Sequence, residues 1–348
     1  MDDDLREALQ RGLFDEHPAV RFQAATRLSW LHEHNPELMW SFIELSCKSE
    51  KSVGVLSGLL SYALSHLSGK YPTIVVPLIE KILKRFSLVE GKSSITEWTL
   101  RILAGLYIWQ NRADAYDVFA PLLTKDGFEP QAATQLLIDI RDLYTYTPDR
   151  SDDDGSGIRN RAFSLSQKVA NLAQQELLDS NYSGESERLT QCARTLDFIG
   201  NQLYFSSGAY DGTNGSTRGT DSSLTSDERQ RFWHESQGTI EALTVGALPS
   251  IAHHLVQTLK SFVEFDPARV FHRIAAVVES SRRFGYQFES MAVDLLVEIA
   301  ELYLAQYPAL LQDDVQCRKE LMAMLETFVT AGWPSALRLI YRLEEMYR

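Results

Sequence analysis

Cysteine is scarce in this sequence: its 348 residues contain 3, and none belongs to a Cys-x-x-Cys pair. Cys47, Cys192 and Cys317 are far apart, and each lies in an apolar, helix-like context. An odd number of distant cysteines is unlike the disulfide framework of a small secreted domain. We therefore expect three buried free thiols in a reducing compartment.

Long hydrophobic runs are also absent. The most apolar stretches, such as residues 73–79 and 291–300, are too short or too charged to span a bilayer. The first residues, Met-Asp-Asp-Asp-Leu-Arg, have neither the positive region nor the apolar core of a signal peptide. The sequence therefore predicts a cytoplasmic protein with no membrane partner.

Basic residues are outnumbered along the whole chain. There are 34 Lys and Arg against 47 Asp and Glu, a formal net charge of −13, and no third of the chain reverses this balance. Binding to a nucleic-acid backbone requires a basic surface that releases counterions. A nucleic-acid partner is therefore disfavoured, and stays an alternative only if one face concentrates the arginines or if a partner makes the contact.

Motifs for catalysis are missing as well. The sequence has no Gly-x-Ser-x-Gly elbow, no His-Glu-x-x-His run and no complete P-loop. No histidine lies within forty residues of Cys192, which disfavours a local nucleophile and base pair. We expect no catalytic residue and no cofactor, with an enzyme of unrecognised site as the less favoured alternative.

Histidines do not form a metal-spaced pair. His32 and His34 are two residues apart, and His253 and His254 are adjacent, so each pair diverges on a helix. A site built from one of the latter with His272 would need Glu264 or Asp266 to converge on it. We therefore expect no bound metal.

Helical periodicity is what the sequence does have. Apolar residues recur at spacings of three and four, prolines mark helix starts, and no convincing strict alternation predicts a strand. The predicted fold class is all-α. The predicted helices cover residues 2–13, 17–34, 36–49, 51–69, 72–87, 93–110, 112–125, 129–146, 158–179, 185–206, 225–247, 249–265, 266–284, 286–306, 308–331 and 334–347.

Two polar, glycine-containing segments interrupt this pattern at residues 147–157 and 206–223. Their composition cannot bury enough surface to offset the entropy of ordering, so both are predicted to be mobile loops. They divide the chain into three blocks: 1–146, a central hairpin at 147–226, and a helical block at 227–348. Replacing residues 206–223 with a short Gly/Ser linker is expected to leave stability nearly intact.

The segment from Asp15 to Leu31 is the most informative. Pro18 begins a helix whose stripe contains Val20, Ala24, Leu28 and Leu31. Aspartate followed by Pro-x-Val-Arg, small residues and leucines resembles the signature of a HEAT repeat over residues 5–34. This resemblance implies an irregular, HEAT-like (armadillo-like) α-solenoid of antiparallel helical hairpins. Val20 is then expected to be buried between hairpins, and Val20→Asp to be strongly destabilising.

Two further patterns concern partners. Trp98 and Trp109 are three helical turns apart and share a face with Ile102 and Gly105. They are expected to fill the core between hairpins, and an exposed aromatic patch is the alternative.

The C-terminal block, at residues 285–290 and 331–343, is similar to helical tails of large bacterial multidomain proteins, some of them in antiviral-defence operons.

Together these features predict a non-catalytic scaffold or recognition subunit that binds a protein partner. In a solenoid, the second helices of successive hairpins commonly form the partner-binding face. Substituting the residues predicted to lie on that face is expected to abolish partner capture without unfolding the protein. Those candidates, with an aromatic docking knob as the alternative surface, are Arg27, Glu33, Arg101, Asn111, Arg141 and Tyr144, and then Phe284, Tyr286 and Phe288.

Overall fold

The computed structural model describes residues 3–86, 94–148, 154–179, 186–210, 224–245, 248–283 and 290–330. All regular elements in these ranges are helical, which confirms the all-α prediction. The chain divides into two compact units, residues 1–139 and residues 140–348. The division into three blocks predicted from the sequence stays a prediction. Within the described ranges, no helix combines the length and apolar character needed to cross a membrane.

Unit 1 is built from short helices, several of which change type along their length. The α-helices are α1 (Asp3–Leu13), α2 (Pro18–Thr26), α3 (Pro36–Ser49), α4 (Val53–Gly58), α5 (Ser65–Ser68), α6 (Pro72–Leu83), α7 (Ser94–Gln110), α8 (Ala113–Phe119) and α9 (Pro130–Gln135). A π-helical segment, Leu59–Leu64, joins α4 to α5, and 3-10 segments follow α2 and α8 at Leu28–Glu33 and Ala120–Leu123.

Unit 2 contains the longer helices. They are α10 (Gly155–Asp179), α11 (Glu187–Ser206), α12 (Ser226–Val245), α13 (Pro249–Lys260), α14 (Pro267–Arg283), α15 (Ser290–Gln306), α16 (Pro308–Asp313) and α17 (Val315–Thr330), after a 3-10 turn at Arg141–Leu143. Each of α10 to α13 packs against the helix two places further along, in the pairs α10–α12, α11–α13, α12–α14 and α13–α15.

The sequence signals for helix starts are confirmed where the structure describes them. Proline occupies the first turn of α2, α3, α6, α9 and α13. At the start of α12, the Thr225 backbone N–H donates to Glu228 Oε2 at 2.9 Å, and the Glu228 N–H donates to Thr225 Oγ1 at 3.3 Å. This is the reciprocal capping that a threonine and a glutamate three residues apart provide.

The predicted stripe of the second helix is partly wrong. Leu28 and Leu31 are buried, but Val20 is 42% exposed, and the fully buried alanine is Ala25 rather than Ala24. The reason is that the α-helix ends at Thr26 and continues as a 3-10 segment, so one helical period does not hold from Val20 to Leu31.

Val20→Asp is therefore expected to change the free energy of unfolding by no more than about 0.5 kcal/mol, as for a surface position. The new carboxylate would lie in the first turn of α2, where the helix dipole favours negative charge. Urea unfolding of the two proteins would check this. A loss of several kcal/mol would show that Val20 is covered in solution.

The loop predictions need correction at their edges. The helix α10 begins at Gly155, inside the segment 147–157, and Pro148 directly precedes the gap in the described residues. In the segment 206–223, Ser207 and Ala209 are buried, and the Ser206 hydroxyl donates to the Arg141 carbonyl at 3.0 Å. Residues 206–210 thus pack on unit 2, because the last turn of α11 carries them there; residues 211–223 lie outside the described part.

The predicted helix at 129–146 is also interrupted. After α9 the backbone N–H groups of Leu136 and Leu137 donate to carbonyls three residues back, at 3.2 and 3.0 Å, instead of four. This tighter pattern ends the α-helix, and a turn follows before the 3-10 segment at Arg141–Leu143.

Candidate functional site

A cleft runs along one face of α7 in unit 1. Trp98, Arg101, Gly105 and Trp109 are spaced by three, four and four residues, so their side chains lie in one row on the helix. The end of α5 and the residues after it form one wall. The lining residues are Ser65, Ser68, Gly69, Trp98, Arg101, Ile102, Gly105, Leu106, Trp109, Gln110 and Asp139.

The cleft exists because α7 carries glycine at its centre. A Cβ atom placed on Gly105 would meet no heavy atom within 4 Å, so the space above this residue is open. Ile102 and Leu106 on either side are buried and give the floor an apolar character. The cavity measures about 260 Å³.

Two tryptophans flank this floor. Trp109 is 46% exposed, and Trp98 is half-buried with the Arg101 guanidinium 4.5 Å from its ring centroid. The expectation that both rings fill the core is therefore wrong for Trp109, and the alternative of an exposed aromatic patch describes it better. Among the other tryptophans, Trp30 is exposed and Trp233 is buried, whereas Trp333 lies outside the described residues.

Hydrogen bonds close the two ends of the cleft. Arg101 donates to both carboxylate oxygens of Asp139, at 3.0 and 2.9 Å, and Glu97 Oε1 is 3.9 Å from the same guanidinium. At the other end the Gln110 amide donates to the Gly69 carbonyl at 2.7 Å. A planar, bidentate arginine pair holds its geometry well, so the rim is pre-organised even where it contacts solvent.

The candidate contacts predicted in unit 1 separate into two groups. Arg101 lines the cleft, whereas Arg27, Glu33 and Asn111 are exposed at other positions. Arg27 lies over the ring of Trp30 at 5.6 Å. Asn111 has a φ of 53° and its N–H donates to the Tyr107 carbonyl at 3.0 Å. Asparagine tolerates this left-handed conformation, so its local role is to terminate α7.

In unit 2, Arg141 is exposed, so its partner contact stays a prediction, whereas the prediction that Tyr144 lies on the surface is wrong. Arg141 lies 4.9 Å from the centroid of the Phe205 ring. Tyr144 is buried, stacks on Phe163 at 4.5 Å, and shares a 2.6 Å hydrogen bond with the Ser166 hydroxyl. Burial raises the pKa of Tyr144, so its hydroxyl stays protonated. The aromatic trio Phe284, Tyr286 and Phe288 lies outside the described residues.

The residues considered for a metal site around His253, His254 and His272 have other partners in the structure. His254 shares a 2.6 Å hydrogen bond with Asn201 and stacks on Tyr204, and burial lowers its pKa. Arg229 pairs with Glu264 at 3.6 Å, and Arg269 pairs with Asp266 at 3.4 Å. Those two carboxylates are thus engaged by arginines.

The cysteines are free and buried, as predicted. For Cys47, burial raises the thiol pKa to about 12, which opposes a role as a thiolate nucleophile at neutral pH. The sequence predicted no catalytic pair of a cysteine and a histidine for Cys47, Cys192 or Cys317.

One group of side chains was not predicted from the sequence. His272, Asp314 and Cys317 bring their donor atoms within 4.8 Å of one another, and Glu320 contacts the same imidazole. The spacing Asp314-x-x-Cys317-x-x-Glu320 at the start of a helix was the available signal. It could not identify the fourth member, because His272 lies more than forty residues away on another helix.

Comparison with known proteins does not assign the chain to a family. No protein-family model matches the sequence, and no curated protein matches it significantly.

Proposed function

We propose that this chain is a non-catalytic, protein-binding subunit of a larger assembly, and that the α7 cleft is a docking site for a side chain of its partner. The observation that supports this most directly is the open, apolar floor at Gly105 between Trp98 and Trp109. Tryptophan and arginine are the residue types most enriched at the energetic centres of protein interfaces. Two tryptophans, Trp98 and Trp109, and one arginine, Arg101, line this cleft.

The size of the cleft favours a protein side chain as its ligand. At about 260 Å³ it falls below the usual range of small-molecule pockets, which is roughly 300–1,000 Å³. An aliphatic or aromatic anchor would displace water from the floor, while the partner's backbone could bond to the rim residues Ser65, Ser68 and Asp139. Nucleic acid fits less well, because Arg101, the arginine of this cleft, is already paired with Asp139.

A repeat architecture also supports a binding role. The packing of α10 to α15, in which each helix contacts the one two places along, is the pattern expected when helical hairpins stack in register. Together with the HEAT-like segment at residues 5–34, this favours an irregular α-solenoid. Solenoids present extended surfaces to partners and usually lack chemistry of their own.

Filling the cleft tests the proposal. Gly105→Phe places a ring above the floor without meeting another heavy atom at Cβ, so the protein should fold but lose its partner, with capture reduced at least about tenfold. Gly105→Ala should keep capture and stabilise α7 by about 0.5–1 kcal/mol, because alanine favours a helix interior over glycine. Capture is measured by quantitative mass spectrometry of proteins that co-purify from the native host.

A matched control is available on α4. Gly54 is exposed, and its Cβ position meets only the Ser52 hydroxyl at 3.9 Å, so Gly54→Phe adds the same ring to unit 1 outside the cleft. Proteins lost with Gly105→Phe and retained with Gly54→Phe are the partners of the cleft. If Gly105→Phe captures the same proteins as the unmodified chain, the cleft is not the docking site.

A further inference from the structure

A mixed cluster of polar side chains lies between two helices of unit 2. His272 projects from α14, and Asp314, Cys317 and Glu320 come from the start of α17 and the residue that precedes it. In the described part of the chain, the possible metal ligands that lie close enough together to share an ion are His272, Asp314 and Cys317. The imidazole, thiol and carboxylate are each common ligands of zinc.

Two of the distances between the donor atoms are close to those of a tetrahedral zinc site. Cys317 Sγ is 3.7 Å from His272 Nε2, and Asp314 Oδ2 is 3.6 Å from the same nitrogen. Zinc bonds to sulfur, nitrogen and oxygen of ordinary length, at a tetrahedral angle, place such atoms about 3.6 Å and about 3.4 Å apart. All three donor atoms lie within 4.8 Å of one another. Cys317 Sγ is also 4.0 Å from His272 Nδ1, so the imidazole has to turn its Nε2 edge toward the sulfur when one ion binds all three donors.

The surrounding hydrogen bonds orient these donors. Glu320 Oε2 lies 2.7 Å from His272 Nδ1, which holds the proton on Nδ1 and leaves the Nε2 lone pair free. Glu320 is itself held, since its other oxygen accepts from the Gln316 amide at 2.8 Å. A carboxylate on the second imidazole nitrogen is the usual partner of a zinc-binding histidine.

Asp314 is divided between two roles. Its Oδ1 accepts from the backbone N–H groups of Gln316 and Cys317, at 2.8 and 3.1 Å, and so caps α17. These bonds leave Oδ2 directed at His272, 3.6 Å from its Nε2. Capping therefore positions the second oxygen as a ligand.

A cysteine next to a histidine that contacts a carboxylate also resembles a nucleophilic triad, but the thiol does not suit that chemistry. Cys317 is fully buried, so a substrate could not reach its sulfur. A metal ion is smaller, and when it binds the sulfur it releases the thiol proton to solvent.

We propose that His272 Nε2, Cys317 Sγ and Asp314 Oδ2 bind one Zn²⁺ ion that links α14 to α17, with Glu320 orienting the histidine. A thiolate and an imidazole select zinc over magnesium or calcium, which prefer all-oxygen sites. The His272 and Asp314 side chains are 35% and 33% exposed, so the ion can enter from solvent and water can occupy the fourth position. Such an ion serves to hold the two helices together.

The test uses the full chain, freed of metal with a chelator, and titration with Zn²⁺ in competition with a chromophoric chelator. One ion should bind per chain and raise the melting temperature, because the ion binds only the folded state. Co²⁺, as a spectroscopic substitute, should give a sulfur-to-cobalt charge-transfer band and the visible bands of a tetrahedral site.

Variants identify the ligands. Cys317→Ala should abolish the charge-transfer band and weaken Zn²⁺ binding at least about 100-fold, and Glu320→Gln should weaken it about 10–100-fold while keeping the band. Cys192→Ala, which removes another buried thiol of unit 2, should change neither. Circular dichroism melts confirm that each variant folds, and Glu320→Gln alters a partly exposed side chain, so it is informative even if Cys317→Ala unfolds. Equal Zn²⁺ affinity in the unmodified chain, Cys317→Ala and Glu320→Gln would overturn the proposal.

Discussion

Replacing Arg159 by alanine is expected to lower the free energy of unfolding by about 3–5 kcal/mol. Arg159 donates to both oxygens of Glu235, at 2.7 and 2.9 Å, and to the Tyr146 carbonyl at 2.8 Å. The Arg159 and Glu235 side chains are only 7% and 14% exposed. Alanine would leave the Glu235 carboxylate in the interface of α10 and α12 without these donors, and that desolvation is the source of the loss.

Urea unfolding with matched variants measures this effect. Arg188 makes the same bidentate contact with Glu176, at 2.9 and 3.0 Å, but its side chain is 43% exposed, so Arg188→Ala should cost no more than about 1 kcal/mol. The double variant Arg159→Met with Glu235→Leu should recover most of the loss, since it removes both charges. A double variant as unstable as Arg159→Ala would show that the loss comes from packing instead of the unpaired carboxylate.

Phe232→Ala is expected to cost a similar amount, about 3–5 kcal/mol. The Phe232 ring lies in the middle of the aromatic core of unit 2. It meets Phe163 edge-on at 5.4 Å, stacks on Phe262 at 5.8 Å, and meets Tyr144 edge-on at 6.4 Å. Removing it opens a cavity among large, rigid rings that cannot collapse to fill the space.

Two comparisons separate the cavity from other effects. Tyr144→Phe removes only the hydroxyl bonded to Ser166, which keeps its bond to the Ala162 carbonyl, so the cost should be about 1 kcal/mol. Phe205→Ala removes a ring that is 38% exposed and should cost less than Phe232→Ala. Denaturant unfolding followed by tryptophan fluorescence reports all three. A loss below about 1 kcal/mol for Phe232→Ala would contradict the proposed core.

The helices of this protein could be predicted from the sequence because their signals are local. Proline in the first turn and the apolar period predicted the observed limits of the helix α3, residues 36–49. The Thr225–Glu228 capping pair marked the start of α12. The failures at Val20 and Tyr144 have one cause. Both inferences assumed an uninterrupted α-helix. In both regions the backbone changes to 3-10 geometry, which changes the angle around the helix axis between the side chains before and after that point.

The candidate sites were less predictable, because they join distant parts of the chain. The row of Trp98, Gly105 and Trp109 could be recognised on α7, but Asp139 and the residues after α5 that complete the cleft could not. In the same way, the Asp314-x-x-Cys317 spacing could be recognised in the sequence, but the contact of these residues with His272 could not. Helical periodicity shows which residues of one helix share a face, and only the packing of helices shows what that face meets.

The π-helical segment Leu59–Leu64 has a consequence for the cleft. A π turn holds more residues than an α turn, so every side chain after Leu64 emerges at a different angle around the axis than an unbroken α-helix would give it. This angular phase determines that Ser65, Ser68 and Gly69 border α7. If the same residues formed α turns instead, α5 would be rotated by about 100° and a different set of side chains would face Trp109. The shape of the cleft thus depends on the type of helix formed at a position that does not line it.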